Sequence, residues 1–331
     1  MTQGTVTDVI AVGNAIVDVL GHTDDGFLAT HAIPKGGMWL IGDEVAERIT
    51  ADLPADAQVA GGSAGNSCAC LASLGGRARF VGKTGDDVLG RIYRASMAEV
   101  GVAMDSAPHD SVPTGRCLIA VTPDAERSMS TFLGAAGHVG DDDIVEDEVA
   151  GAAVTFLEGY LFEAELPRRA FDRAADIAHT AGRKIALTLC DAGVVDRQYE
   201  NLLAFLPKVD LLFANEAEAK ALTRKADVQD AVEALRGMVP FAAVTRSEHG
   251  SIVFGPDLPP EAVSAVAPER LVDTTGAGDA YAGGFLYGFT RSIPLPDCAH
   301  LGSLAASEVI SHMGPRPERS LREMAEAAGL L

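Results

Sequence analysis

Short, continuous apolar runs rich in branched residues alternate along this chain with longer stretches of helical spacing. Val9-Ile10-Ala11-Val12 is the first such run and leads into Gly13-Asn14, the pattern of a buried strand that delivers a turn. Gly61-Gly62-Ser63-Ala64-Gly65-Asn66 then opens a stretch of small residues that runs to Leu74 and stops at Gly75-Gly76. That spacing predicts a helix entered from a glycine-rich turn and closed by glycine. Arg79-Phe80-Val81 predicts a strand ending in Gly82-Lys83-Thr84-Gly85-Asp86-Asp87. Downstream, 154–157, 185–189 and 211–214 read as strands, with helices expected over 167–180, 216–222 and 228–236. Strands at 242–245 and 251–254 flank a polar turn, and long helices are expected over 277–290 and 297–312. Buried strands alternating with helices predict a mostly parallel sheet covered on both faces.

Residues 15–42 and 105–135 break this rhythm. Both carry alternating patterns, such as Gly115-Arg116-Cys117-Leu118-Ile119-Ala120-Val121 and Arg127-Ser128-Met129-Ser130-Thr131-Phe132. Strand–turn–strand patterns of this kind predict a small accessory sheet in the position of a lid. No repeat, low-complexity tract or linker divides the chain, so residues 1–331 are expected to form one domain with that sheet inserted in it.

Composition narrows the functional classes. With 47% hydrophobic and 22% charged residues, the chain matches ordinary globular proteins rather than disordered ones. A formal net charge of −21 repels phosphate backbones and anionic lipid, so neither a nucleic-acid partner nor a membrane surface is expected. An anionic small substrate is still compatible, because a metal ion or a helix N-terminus reverses the potential locally. The five cysteines are scattered; only Cys68 and Cys70 lie close, with no second pair or histidine at zinc-ligand spacing. Buried thiols in a reducing compartment are expected. The opening MTQGTVTDVIAVG lacks a basic region followed by a long apolar one, and no apolar run approaches the roughly 18 residues of a membrane span. A cytoplasmic protein is the expectation.

Two glycine-rich stretches imitate nucleotide motifs without meeting them. Gly76-Arg77-Ala78-Arg79-Phe80-Val81-Gly82-Lys83-Thr84 has five residues between its glycines, one more than a P-loop allows, and its centre reads as strand. The first strand is followed by Gly13-Asn14-Ala15, not by a dinucleotide-binding G-x-G-x-x-G. Phosphate chemistry is concentrated instead in Asp273-Thr274-Thr275-Gly276-Ala277-Gly278-Asp279-Ala280-Tyr281-Ala282-Gly283-Gly284-Phe285. Gly276 and Gly278 permit a tight turn whose N–H groups converge at a helix start, where the dipole also favours an anion. Asp279 falls in the first helical turn, beside that anion site. A carboxylate repels a merely bound phosphate, but it suits a group that takes the proton of an attacking hydroxyl. Alone, Asp279 would equally serve as an acidic first-turn residue complementing the dipole; the surrounding run favours the chemical role.

That run resembles the C-terminal signature of the ribokinase/PfkB carbohydrate kinase family. Gly61-Gly62-Ser63-Ala64-Gly65-Asn66 is similar to the family's N-terminal sugar-binding signature, Asn215-Glu216-Ala217-Glu218 to its N-x-x-E motif, and 82–90 to a further shared stretch. These landmarks stand in family order from about residue 9 to residue 317, nearly the whole chain. The resemblance implies a ribokinase-like three-layer α/β fold: a central, mostly parallel sheet, flanking helices and a small β lid over the sugar site. It implies ATP and Mg²⁺, a small-molecule acceptor, and a monomer or homodimer. By resemblance Asp279 is the catalytic base, Gly276, Ala277 and Gly278 form the anion hole, and Arg127 on the lid reaches the transferring phosphoryl group. Asn215 and Glu218, one helical turn apart, organise Mg²⁺ around the ATP phosphates, Glu218 acting through water. Thr245 and Gly250, which bound Thr245-Arg246-Ser247-Glu248-His249-Gly250, resemble the nucleotide-side loop. Backbone oxygens of Asp273 and Thr275, with a carbonyl near Gly314, match the region where many relatives hold a monovalent cation such as K⁺. On the acceptor side, Asn14 and Asp18 meet sugar hydroxyls, Gly61 and Gly62 form the sugar-binding turn, and Asn66 offers both a donor and an acceptor.

Phosphoryl transfer depends on positioning, so one scaffold serves many alcohols. Asn14 within Gly13-Asn14-Ala15-Ile16-Val17-Asp18, Thr114-Gly115-Arg116-Cys117 and the stretch 122–135 resemble the adenosine kinase branch more than the ribokinase branch. Tyr160 and Phe162 follow a strand and either flank a base or line the strand–helix boundary. The expected reaction moves the γ-phosphate of ATP to the 5′-hydroxyl of adenosine, giving AMP and ADP. A free sugar (ribose, fructose or 2-keto-3-deoxygluconate) is the alternative acceptor. A non-catalytic sugar or nucleoside sensor on the same fold is a third reading; against it, Asp279, Asn215, Glu218, Gly276 and Gly278 are all present.

Overall fold

The computed structural model describes residues 7–124 and 126–331. In chain order its strands are β1 (Thr7–Val12), β2 (Ile16–His22), β3 (Gly37–Leu40), β4 (Ala57–Ala60), β5 (Ala78–Val81), β6 (Gly115–Val121) and β7 (Arg127–Phe132). They continue as β8 (Ala152–Glu158), β9 (Lys184–Thr188), β10 (Leu211–Asn215), β11 (Phe241–Thr245), β12 (Ser251–Gly255) and β13 (Leu258–Val263). The central eight-stranded sheet has the order β13-β12-β11-β10-β9-β8-β1-β5. Its strands from β5 through β11 are parallel, and β12 and β13 close one edge antiparallel.

Strand alternation divides the core between the two faces. Val9 and Ala11 of β1 pack with Cys70, Phe285 and Leu301, from the helices Ser63–Ser73, Ala277–Phe289 and Leu295–Val309. Ile10 and Val12 pack with Phe171, Leu222 and Val232, from the helices Glu165–Thr180, Glu216–Thr223 and Val228–Leu235. Helix Ala277–Phe289 is buried from Ala280 to Gly288, so it lies inside the molecule rather than on it.

The second sheet has five strands in the order β3-β7-β6-β2-β4. β2 and β3 come from segment 15–42, β6 and β7 from 105–135, and β4 lies outside both. Three of the four β4 residues are exposed, so the strand leaves little apolar alternation to read. The helices Asp43–Asp52, Val88–Glu99, Ala192–Arg197, Tyr199–Phe205 and Leu321–Ala327 were likewise not expected. Val88–Glu99 starts at Asp87, whose side chain accepts from the Gly90 amide at 2.7 Å. β13 contains Pro259 and Pro260, tolerable because it is an edge strand. Cys68, Cys70, Cys117 and Cys298 are buried free thiols, and among the described residues no helix is long and apolar enough to cross a membrane.

Candidate active site

A cavity of about 390 Å³ opens between the second sheet and the C-terminal ends of the parallel strands. Asn14 follows β1; Glu158, Thr188, Asn215 and Thr245 end β8, β9, β10 and β11, and all five face the cavity. Asp18 of β2 and Arg127 of β7 face it from the other side. This is the edge at which open α/β sheets gather ligand-binding groups.

Gly276 caps helix Ala277–Phe289 at φ +77°, and a Cβ there would come within 2.6 Å of Pro315, so the turn requires glycine twice over. The Ala277 amide donates to the Thr274 carbonyl at 3.2 Å. The Gly278 amide meets no protein acceptor among the described residues, and Gly278 lines the cavity. Asp279 stands in the same turn. Its Oδ1 accepts from Ser63 Oγ at 2.6 Å and its Oδ2 from Asn66 Nδ2 at 3.0 Å. Burial pushes this carboxyl above its ordinary range, while Ser63, Asn66 and the Arg316 charge pull it back.

On the β1 side, Gly62 (φ +82°) lies so close to the Asn14 carbonyl that a Cβ would strike it. Glu158 binds the two segments together. Its Oε1 accepts from Asn14 Nδ2 at 2.6 Å, and its Oε2 accepts from the amides of Asn14 at 3.2 Å and Ala64 at 2.9 Å. Burial raises its carboxyl to about 7. Asn14 Oδ1 is buried without a partner, and Asp18, raised to about 7 by burial, accepts no protein hydrogen bond among the described residues. Unpaired acceptors on a cavity wall call for donors such as hydroxyls. Gly61 lies against the Asp18 carboxylate rather than on the wall. Ile16, Met38, Leu40, Ile119, Met129 and Leu133 make the second-sheet wall apolar. Tyr160 lines the cavity, but Phe162 packs in the core against Phe171 and Phe205, with ring centroids 5.5 and 5.7 Å away.

Asn215 and Glu218 form a reciprocal cap on helix Glu216–Thr223. Asn215 Oδ1 accepts from the Glu218 amide at 2.9 Å, while Glu218 accepts from the Asn215 amide at 2.9 Å and from its Nδ2 at 2.6 Å. Glu218 is buried at the cavity, which raises its carboxyl to about 7. Thr245 lines the cavity; Gly250 sits in the turn between β11 and β12, outside it. Arg127 Nη1 crosses to Asp273, at 3.1 and 3.2 Å from its two oxygens, and donates to Thr275 Oγ1 at 3.0 Å. Burial opposes ionisation of Asp273, but hydrogen bonds from Thr275 and Gly314 and the Arg127 charge hold its carboxyl below the usual range. No group of three or more His, Cys, Asp or Glu among the described residues is placed to hold a metal. Glu218, a single carboxylate at the cavity, suits Mg²⁺ that keeps most of its waters.

Three cavity-lining groups, Ser63, Glu158 and Cys190, and one residue behind the wall, Arg316, were not legible in the sequence. Ser63 stands inside the glycine-rich signature, where its hydroxyl had no assigned task. Glu158 ends a strand like any other, Cys190 follows one, and Arg316 lies in a Gly-Pro-Arg-Pro loop with no local motif. Only the fold brings them to the site.

The pattern of pfkB family carbohydrate kinases matches residues 41–320. The chain is similar to adenosine kinase from Sinorhizobium meliloti, with 44% identity and a TM-score of 0.91 over 98% of this chain and 100% of that one. It is similar to a probable sugar kinase protein from Rhizobium etli CFN 42, with 42% identity and a TM-score of 0.92 over 99% of this chain and 100% of that one. Over 114 residues it is 39% identical to the cytidine kinase of Thermococcus kodakarensis, covering 34% of this chain and 41% of that protein. The chain belongs to the pfkB carbohydrate kinase family and has its ribokinase-like α/β fold. It is therefore a phosphotransferase with an alcohol group as acceptor, and membership implies ATP as donor, usually with Mg²⁺.

Proposed function

We propose that the protein transfers the γ-phosphate of ATP to the 5′-hydroxyl of adenosine, giving AMP and ADP. The observation that carries this reading is one cavity holding both the half-buried Asp279 carboxylate and the open Gly278 amide at a helix start. The 5′-hydroxyl gives its proton to Asp279 as its oxygen attacks the γ-phosphorus. The amides of Gly276, Ala277 and Gly278 and the helix dipole meet the charge on the transferred group. Ala277 joins them once its amide leaves Thr274. Asn14 Oδ1 and Asp18 accept from ribose hydroxyls, with Gly61, Gly62 and Asn66 shaping that subsite. The apolar wall beside Tyr160 suits a nucleoside base, which a free sugar lacks.

The second sheet acts as a lid on a single kinase domain, built from about 15–42 and 105–135 and extended by β4. On closure Arg127 turns to the transferring phosphoryl group. Thr245 and Gly250 belong to the nucleotide side. Asn215 and Glu218 would hold Mg²⁺, Glu218 through water, and the metal when bound would supply neutralisation of charge on the ATP phosphates. The carbonyls of Asp273 and Thr275 are the place for K⁺. The enzyme works on a small molecule, in the cytoplasm, as a monomer or homodimer.

ADP formation with adenosine, cytidine, ribose, fructose and 2-keto-3-deoxygluconate tests the reading, with the highest kcat/KM expected for adenosine. Turnover of a free sugar with none of adenosine would refute the nucleoside acceptor. Thermal stabilisation by adenosine without ADP formation from any of them would mark a sensor.

A further inference from the structure

Three consecutive residues in the loop after helix Leu295–Val309 touch three different parts of the site. Gly314 donates its amide to Asp273 Oδ2 at 3.3 Å. Pro315 packs against Gly276, and Arg316 Nε donates to Asn66 Oδ1 at 3.2 Å. The rest of the guanidinium is anchored on helix Val88–Glu99, where Nη1 donates to Ser96 Oγ at 2.9 Å and Nη2 reaches Met97 Sδ at 3.5 Å. Pro315 and Pro317 flank the arginine and restrict its backbone.

An asparagine amide can present either end to a neighbour, but a carboxylate accepts only from its nitrogen. A guanidinium has donors and no acceptor, so it takes only the oxygen. Arg316 therefore turns the Asn66 nitrogen onto Asp279. We propose that Arg316 is a positioning residue for phosphoryl transfer: acting through Asn66, it holds the Asp279 carboxylate in one orientation towards the acceptor hydroxyl. This rests on the reading of Asp279 as the base, and Arg316 itself does not line the cavity.

The charges around the carboxylate agree with that role. The Asp279 charge pushes the nearby carboxyls of Asp18, Glu158 and Glu218 towards protonation. Among the described residues Arg316 is the cation that favours the ionised form of Asp279, since Arg127 is paired with Asp273.

Arg316→Met keeps the apolar stem and removes the charge and donors. It is expected to lower kcat for adenosine by about 10²-fold, the scale of a misplaced reacting group, with KM for ATP little changed. The acidic limb of its kcat–pH profile should move to higher pH, because Asp279 becomes harder to ionise. In an Asn66→Ala background the same substitution should cost little more in kcat, since the positioning passes through that amide, while the direct charge of Arg316 still moves the limb. Arg316→Lys, which keeps one charge, should recover part of kcat and return the limb towards wild type. Wild-type kcat in Arg316→Met, or losses that simply multiply with those of Asn66→Ala, overturn the proposal. Should thermal melting show that Arg316→Met does not fold, Arg316→Gln is read by the same limb, and an unmoved limb overturns it equally. Asp279→Asn separates the two ideas. If that variant keeps turnover, the base assignment fails; if it loses turnover while Arg316→Met does not, only the positioning role fails.

Discussion

Ser63 and Asn66 stand about one turn apart on the helix that leaves Gly62, and both donate to one carboxylate. Two directional donors fix the Asp279 rotamer, while lone pairs not taken by Ser63 or Asn66 are left for a proton in transit. Glu158 differs. Its three accepted hydrogen bonds all come from Asn14 and Ala64, so its carboxylate joins β1 to helix Ser63–Ser73 instead of facing the reaction. Asp279→Asn is expected to lower kcat by roughly 10²–10⁴-fold, the range for loss of a general base. Adenosine affinity by calorimetry should change little, because asparagine keeps the shape of the side chain. Near-normal turnover would remove Asp279 from the mechanism. The place of Asp279 at a helix start is legible in sequence because a glycine-rich run surrounds it. The part Arg316 plays is not, because its partners Asn66 and Ser96 are hundreds of residues away along the chain.

At the level of elements, the helix Ala277–Phe289 does two things at once. Its apolar length fills the core, and that burial fixes where its N-terminus opens. Gly276 is the joint between those tasks, with a left-handed backbone pressed against Pro315. Gly276→Ala is expected to cost about 1–2 kcal/mol in a denaturant melt from backbone conformation alone. It should also lower kcat, because the amides of the first turn shift. An unchanged melt would show that the turn relaxes elsewhere. Strands of the central sheet were legible because both faces are buried, which leaves continuous apolar runs. β4 and β13 were not, because edge strands answer to solvent on one side and tolerate polar residues and proline.

Over the whole molecule, a chain of net charge −21 gathers three carboxyls, the buried Glu158 and Glu218 and the half-buried Asp18, at one cavity, each raised to about 7. A carboxyl raised on folding binds protons more tightly in the folded state. Its contribution to stability is full below the unfolded values of 3.8 or 4.5 and is lost as pH rises through about 7. Denaturant midpoints are therefore expected to fall between about pH 4 and about pH 7. Asp18→Asn should flatten that fall and raise KM for adenosine, since Asp18 has no protein donor to lose. A midpoint that rises over this interval in the wild type would contradict the assignment. The sequence by itself determined the α/β alternation, the glycine-rich turns and the helix start at 276–279, because each is written in neighbouring residues through period, backbone freedom and helix polarity. Only tertiary structure decided that Ser63, Asn66 and Arg316 converge on Asp279, that Glu158 locks Asn14, and that Arg127 pairs with Asp273. Those contacts join distant parts of the chain, and their geometry exists only after the sheet and its helices have packed.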